Sequence, residues 1–158
     1  MSAPNAGEWL DAFVAATDEL ATTTLGLEKS ALSRNGDRMP TGRPGAYIGF
    51  VSEAASLQIG LLSTPEGCQS IAKALLGMAP TDEHLSDADL ADALGEVVNI
   101  VAGSMKTHLA EKDPSIQLGL PFFVHGHIQT KSDMERAVAD GTVGGLPISL
   151  IVLRQPHQ

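Results

Sequence analysis

The chain has 158 residues, a formal net charge of −9 and a hydrophobic share of 43%. That length supports one core without disulfide or metal staples, so a single domain over residues 1–158 is the expectation. The acidic balance argues against nucleic acid or an anionic membrane surface as main partner. No apolar run approaches a membrane span, and the lone Cys68 excludes an intrachain disulfide and fits a reducing, cytoplasmic setting.

The first residues, Met1 to Glu8, have no basic region leading into an apolar stretch, so no secretory signal is expected. Residues 8–25 show helical periodicity through Trp9, Phe13, Ala16, Leu20 and Thr24, with Gly26 as the stop. Residues 33–45, rich in Gly, Pro and Arg, read as a loop. Residues 47–51 and 57–62 read as the strands of a hairpin turning near 52–55. Thr64, Pro65 and Glu66 then have the character of N-cap, first helical proline and first-turn acid, for a helix that runs to Leu76 and stops at Gly77. Residues 81–87 form an acidic loop, and Ser86 with Asp89 has the form of a variant capping box for the next helix. After His108 come extended segments at 116–118 and 122–124, a polar stretch over 126–133, and strands near 136–140 and 148–153. The last strand is so apolar that it must be covered within a sheet or by a partner chain.

The most informative segment is the helix spanning residues 90–106. At 3.6 residues per turn, Asp92, Glu96, Asn99, Gly103 and Lys106 share one narrow stripe. Leu90, Leu94, Val97, Val98, Val101, Met105 and Leu109 occupy the other side. The helix thus buries one face and presents a carboxylate and a carboxamide about one turn apart on the other. Gly103 carries no side chain, so another backbone can approach the stripe there.

The pattern Asp92, Glu96, Asn99 and, downstream, Pro121 resembles the CheC/CheX/FliY family of chemotaxis phosphatases. The run from Gly95 to Gly103 looks like the family's core helix, Leu120 to Val124 like the strand after it, and Leu25-Gly26-Leu27 like the end of its first helix. The resemblance covers residues 9–153. It implies an α/β (α+β) fold, a mainly antiparallel sheet with helices packed on it. CheC-like members carry two copies of the motif, whereas CheX-like members carry one and pair into homodimers; the single copy here points to the CheX type.

What the resemblance implies chemically agrees with the side chains. Its substrate class is a phosphorylated CheY-type response regulator, whose own Asp, Lys and bound Mg²⁺ complete the site; no cofactor is expected on this chain. An aspartyl phosphate is already activated, and hydrolysis chiefly lacks a water held in line with phosphorus. A carboxamide offers a donor and an acceptor without placing charge near the phosphoryl group, so Asn99 suits water orientation. Glu96 suits an anchor that pairs with a partner lysine. Asp92, Gly103 and Lys106 are the partner-binding positions on the same stripe, and Asp92 also suits the early helix dipole.

Other readings stand beside these. Glu96 and Asn99 fit a plain solvated helix face, and the whole chain fits a non-catalytic interaction module that binds a receiver or resembles a flagellar switch component. Pro121 fits a strand edge. His125 and His127 have the spacing of two ligands on one strand face, but no third ligand completes a metal site. Cys68 reads as a buried small hydrophobe. Ser104 and Lys106 lack a histidine placed as their base.

Overall fold

The computed structural model describes residues 2–126 and 128–157. The first helix, α1 (Ala6–Thr23), begins two residues ahead of the periodic pattern because Asn5 caps it. The Asn5 side chain accepts the Glu8 N–H at 2.9 Å, and the Glu8 carboxylate accepts the Asn5 N–H at 3.2 Å. This reciprocal box satisfies two otherwise orphaned donors. Gly26, at φ 64°, turns the chain out of the helix.

Residues 33–45 are not wholly a loop. Ala31–Arg34 forms an edge strand, β1, antiparallel to β6 (Glu135–Val143). Its partner explains it better than its own sequence does. A Cβ at Gly141 would lie 1.9 Å from the Ala31 carbonyl oxygen, so only glycine there permits the pairing. Helix α1 also holds this edge: Asp18 accepts the Ser30 N–H at 2.9 Å, and Arg34 donates to the Gly7 carbonyl at 3.0 Å and pairs with Asp11.

The hairpin forms as read, from β2 (Gly45–Val51) and β3 (Ala55–Leu62). Two short strands, β4 (Gln117–Leu118) and β5 (Phe122–Val124), both pair with β2. The last strand, β7 (Leu146–Pro156), lies between β6 and β3. The sheet order is β1-β6-β7-β3-β2-β4, with every pairing antiparallel. Helices α1, α2 (Pro65–Leu75) and α3 (Asp87–Leu109) pack against the sheet and one another. The fold is the antiparallel α+β arrangement expected.

The position of β7 settles how its apolar side chains are covered. Ile148, Leu150 and Val152 join the main core with the helices, whereas Ile151 joins Tyr47, Leu62 and Val138 in a second cluster. Met39, Val124 and Ile128 pack over that second cluster. The strand is covered on both faces by its own chain, as a central strand must be, and it calls for no partner.

In the main core Trp9 meets Phe50 edge-on, with ring centroids 4.8 Å apart. At the far end of α3, Asp113 accepts bonds from the Ser115 N–H and hydroxyl at 3.1 and 2.5 Å, while the Ser115 hydroxyl accepts the Glu53 N–H at 2.9 Å. The turn after α3 is thereby tied to the β2–β3 turn. Burial pushes the Asp113 carboxyl up, but the bonds from Ser115 and Ser52 together outweigh it and leave the group below its ordinary range. No helix among the described residues is long and apolar enough to cross a membrane.

Candidate functional site

Helix α3 is started by Ser86, whose hydroxyl accepts the Asp89 N–H at 3.2 Å. Only this half of the anticipated capping box is made among the described residues. Asp87 and Asp89 in the first turn favour the helix dipole, as do Lys106 and His108 in the last. Leu94, Val98, Val101 and Met105 are wholly buried. Each contributes about 1.5–3 kcal/mol by leaving water, so the helix is firmly seated.

The opposite face carries the predicted stripe. Asp92, Glu96, Asn99 and Lys106 are all exposed and Gly103 is partly so. Glu96 and Asn99 are about 4.5 Å apart along the axis. The side chains of Asp92, Glu96, Asn99 and Lys106 make no hydrogen bond or ion pair among the described residues. A Cβ at Gly103 would meet nothing within 4 Å, so the stripe is open there to an approaching chain. The five positions stand together as the helical spacing requires.

Pro121 lies beside this stripe. It packs on α3 at Gly95, one residue before Glu96, with Cγ and Cβ at 3.5 and 3.6 Å from where a Cβ would be. The neighbouring Leu120 is 86% exposed, and Phe122 is 44% exposed and stacked on Tyr47 with centroids 5.6 Å apart. An apolar border therefore runs beside the polar stripe. Sequence reasoning missed this border: Leu120-Pro121-Phe122 reads as a strand start, and nothing local indicates that Leu120 faces solvent.

The remaining candidates fall outside the site. His125 is exposed and edge-on to Phe123 at 4.7 Å, and His127 lies outside the described residues. Among the described residues no group of three His, Cys, Asp or Glu could hold a metal ion. Cys68 is fully buried with its sulfur 3.6 Å from the Pro44 carbonyl oxygen, and burial pushes the thiol up to about 11. His108 Nδ1 lies 2.9 Å from the Ser104 carbonyl oxygen, so it caps the helix backbone and does not serve the Ser104 hydroxyl.

An anchored helix with an open carboxylate–carboxamide stripe and a proline packed against it matches the pattern on which the resemblance to CheC/CheX-type proteins rests. The family described as "Chemotaxis phosphatase CheX" matches residues 44–140, a span that holds Glu96, Asn99 and Pro121, and the chain belongs to that family. The coarse functional class, a CheC/CheX-type phosphatase or CheY-interacting protein, follows from that membership. No curated protein matches the chain in sequence.

Solved structures agree in fold. The chemotaxis protein CheX of Desulfovibrio desulfuricans is 21% identical over 94% of this chain and 99% of its own, with a TM-score of 0.79. CheX of Vibrio vulnificus is 21% identical over the same shares, 94% and 99%, with a TM-score of 0.77. A CheX–CheY–BeF3–Mg²⁺ complex from Borrelia burgdorferi is 18% identical over 93% of this chain and 97% of that one, with a TM-score of 0.71.

Proposed function

We propose that this chain accelerates the loss of phosphate from an aspartyl-phosphorylated CheY-type receiver domain, with Asn99 orienting the attacking water and Glu96 fixing the docked receiver. The observation that carries the reading is the pair itself: Glu96 and Asn99 are exposed on a helix anchored by its other face, and among the described residues neither side chain has a hydrogen-bond partner. The Borrelia relative, solved with CheY, supports the choice of partner.

The chemistry follows from the side chains. The Asn99 amide oxygen accepts a proton-bearing edge of the water, and its NH₂ donates towards a phosphoryl oxygen. The water oxygen bonds to phosphorus as the bond to the aspartyl oxygen breaks, giving inorganic phosphate and a free carboxylate, with a proton released to solvent. A neutral amide performs this without repelling the anionic group, which a carboxylate would do. Glu96 pairs with a lysine of the receiver and sets the register. Mg²⁺, in this reading, belongs to the receiver. Gly103 admits the receiver backbone, and Asp92 and Lys106 complete the contact stripe. Positioning of this kind supplies about 2–4 kcal/mol, a roughly 30- to 1000-fold acceleration.

The same reading has the chain working as a single cytoplasmic domain and, because one Glu-x-x-Asn helix is present, pairing into a homodimer. The direct test is phosphate release from a panel of phosphorylated receivers, with and without the chain. Unaltered decay across the panel would leave only a non-catalytic binding role.

A further inference from the structure

Helix α2 and the loop after it build one wall of a groove along the first half of α3. Two buried polar side chains of α2, one turn apart, fix that loop from beneath. Gln69 donates to the Leu85 carbonyl at 3.0 Å and accepts the Leu85 N–H at 2.9 Å. Lys73 donates to the carbonyls of Pro80 and Asp82 at 3.3 and 2.7 Å. Gly77, at φ 71°, ends α2, and the Met78 N–H closes back on the Lys73 carbonyl at 2.9 Å. This leaves Leu76 51% exposed. The groove holds about 280 Å³, with Leu75, Leu76 and Leu85 on one side and Asp89, Asp92, Ala93 and Glu96 of α3 on the other.

Three properties select its occupant. The volume is below the roughly 300–1,000 Å³ of small-molecule sites, yet it admits one long side chain. It is lined mainly by aliphatic side chains, Leu75, Leu76, Leu85 and Ala93, with the carboxylates of Asp89, Asp92 and Glu96 along its α3 side, which matches a side chain with an apolar stem and a cationic head. The three carboxylates have no cation within ion-pair reach among the described residues. Asp89 gains from the helix N-terminus, but Asp92 and Glu96 lie beyond the first turn and repel one another at four-residue spacing. This face is relieved when a cation arrives. The groove also runs into the Asn99 stripe, because Glu96 borders both.

We propose that the groove receives a long basic side chain, arginine or lysine, that the receiver presents beside its phosphorylation site and that is distinct from the lysine paired with Glu96. The proposal rests on the receiver-docking reading above and names how that partner is selected. The stem lies along Leu76 and Leu85, and the head meets Asp89 and Asp92. A receiver without a basic residue there buries aspartates against an unmatched surface and is discriminated against. Because Gln69 and Lys73 hold the wall in place beforehand, little ordering is needed on docking.

The test is titration of Mg²⁺–BeF3-loaded receivers against the full chain, with Kd read across a salt series. Asp89→Asn is expected to weaken binding about fivefold and flatten the salt dependence, and Leu76→Ser to weaken it about tenfold with the salt dependence kept. Asp89→Lys is expected to regain affinity when the receiver's basic residue is changed to Glu. Unchanged Kd and salt slope in both single variants would overturn the groove assignment, and so would variants that instead dissociate a homodimer, which would assign the groove to a second copy. The catalytic reading fails separately: an Asn99→Ala chain that binds and turns over like the wild type overturns it while the groove variants still report on docking. A wild-type chain that binds no loaded receiver overturns both.

Discussion

Pro121 rests on Gly95, the residue immediately before Glu96, at 3.5 Å from the point where a Cβ would stand. The downstream proline of the motif is thus a packing partner of the motif helix, and it sets how α3 meets the strand edge carrying Leu120 and Phe122. A methyl group at position 95 would make ordinary contact, without a clash. Gly95→Ala is therefore expected to raise stability by about 0.5–1 kcal/mol, through the helix propensity that glycine lacks. Urea midpoints of the two chains check this; a clear loss of stability would mean that the contact with Pro121 is tighter than its geometry indicates.

Asp113 makes stability depend on acid. Its folded carboxyl is held below the ordinary range, so its stabilisation is fully present above the unfolded value near 3.9 and is lost as pH falls through the folded value. Asp113→Asn is expected to cost about 0.5–1.5 kcal/mol at neutral pH, because the Ser115 bonds keep an acceptor oxygen but lose its charge, an effect that solvent partly screens. The gap between the two chains should narrow below about pH 4. Denaturant midpoints from pH 7 to 3 read it directly; a gap that stays constant would remove Asp113 from the acid response.

Cys68 is expected to resist alkylation in the folded chain. Its thiol is fully buried and pushed up to about 11, so little thiolate exists at pH 8 and none of it is accessible. Labelling should follow unfolding in a urea series. Rapid labelling under native conditions would contradict the packing of α2 on Pro44.

Assembly is predicted to be a homodimer at tens of micromolar, with both Glu96/Asn99 stripes outward. β7 is internal, so the apolar terminal strand no longer argues for pairing. The sheet's edges are the short β1 and the divided β4–β5 side. Light scattering over a concentration series decides between a dimer and a monomer, and a monomer throughout would leave the single-motif argument without support.

What the sequence disclosed divides along physical lines. The stripe of α3 was readable because a helix on a core must bury every third or fourth residue, and Leu94, Val98, Val101 and Met105 do so without a break. The cap of α2 at Thr64 was readable because capping is local chemistry. β1 was not, since Ala31–Arg34 pairs only because Gly141, far along the chain, makes room. The strand at 148–153 was readable as a strand, but its central place was not, because apolar residues on both faces fit a covered strand or an interface equally well. For the site, spacing alone brought Asp92, Glu96, Asn99, Gly103 and Lys106 together. The groove beside them was invisible, because Leu76 and Leu85 reach it only through the bonds that Gln69 and Lys73 make to a loop without periodicity.

In the proposed division of labour, Asn99 acts on the attacking water and Glu96 on the docked partner. The most direct measurement is single-turnover phosphate release from a phosphorylated receiver, at saturating chain, for the wild type and Asn99→Ala, with binding to the Mg²⁺–BeF3-loaded receiver measured alongside. Asn99 is exposed and its side chain has no hydrogen-bond partner among the described residues, so its loss should leave the fold intact. In Asn99→Ala the rate at saturation is expected to fall about 30-fold or more, with Kd changed less than about threefold. An Asn99→Ala chain that turns over at the wild-type rate, or that loses its rate only because it no longer binds, would contradict that division.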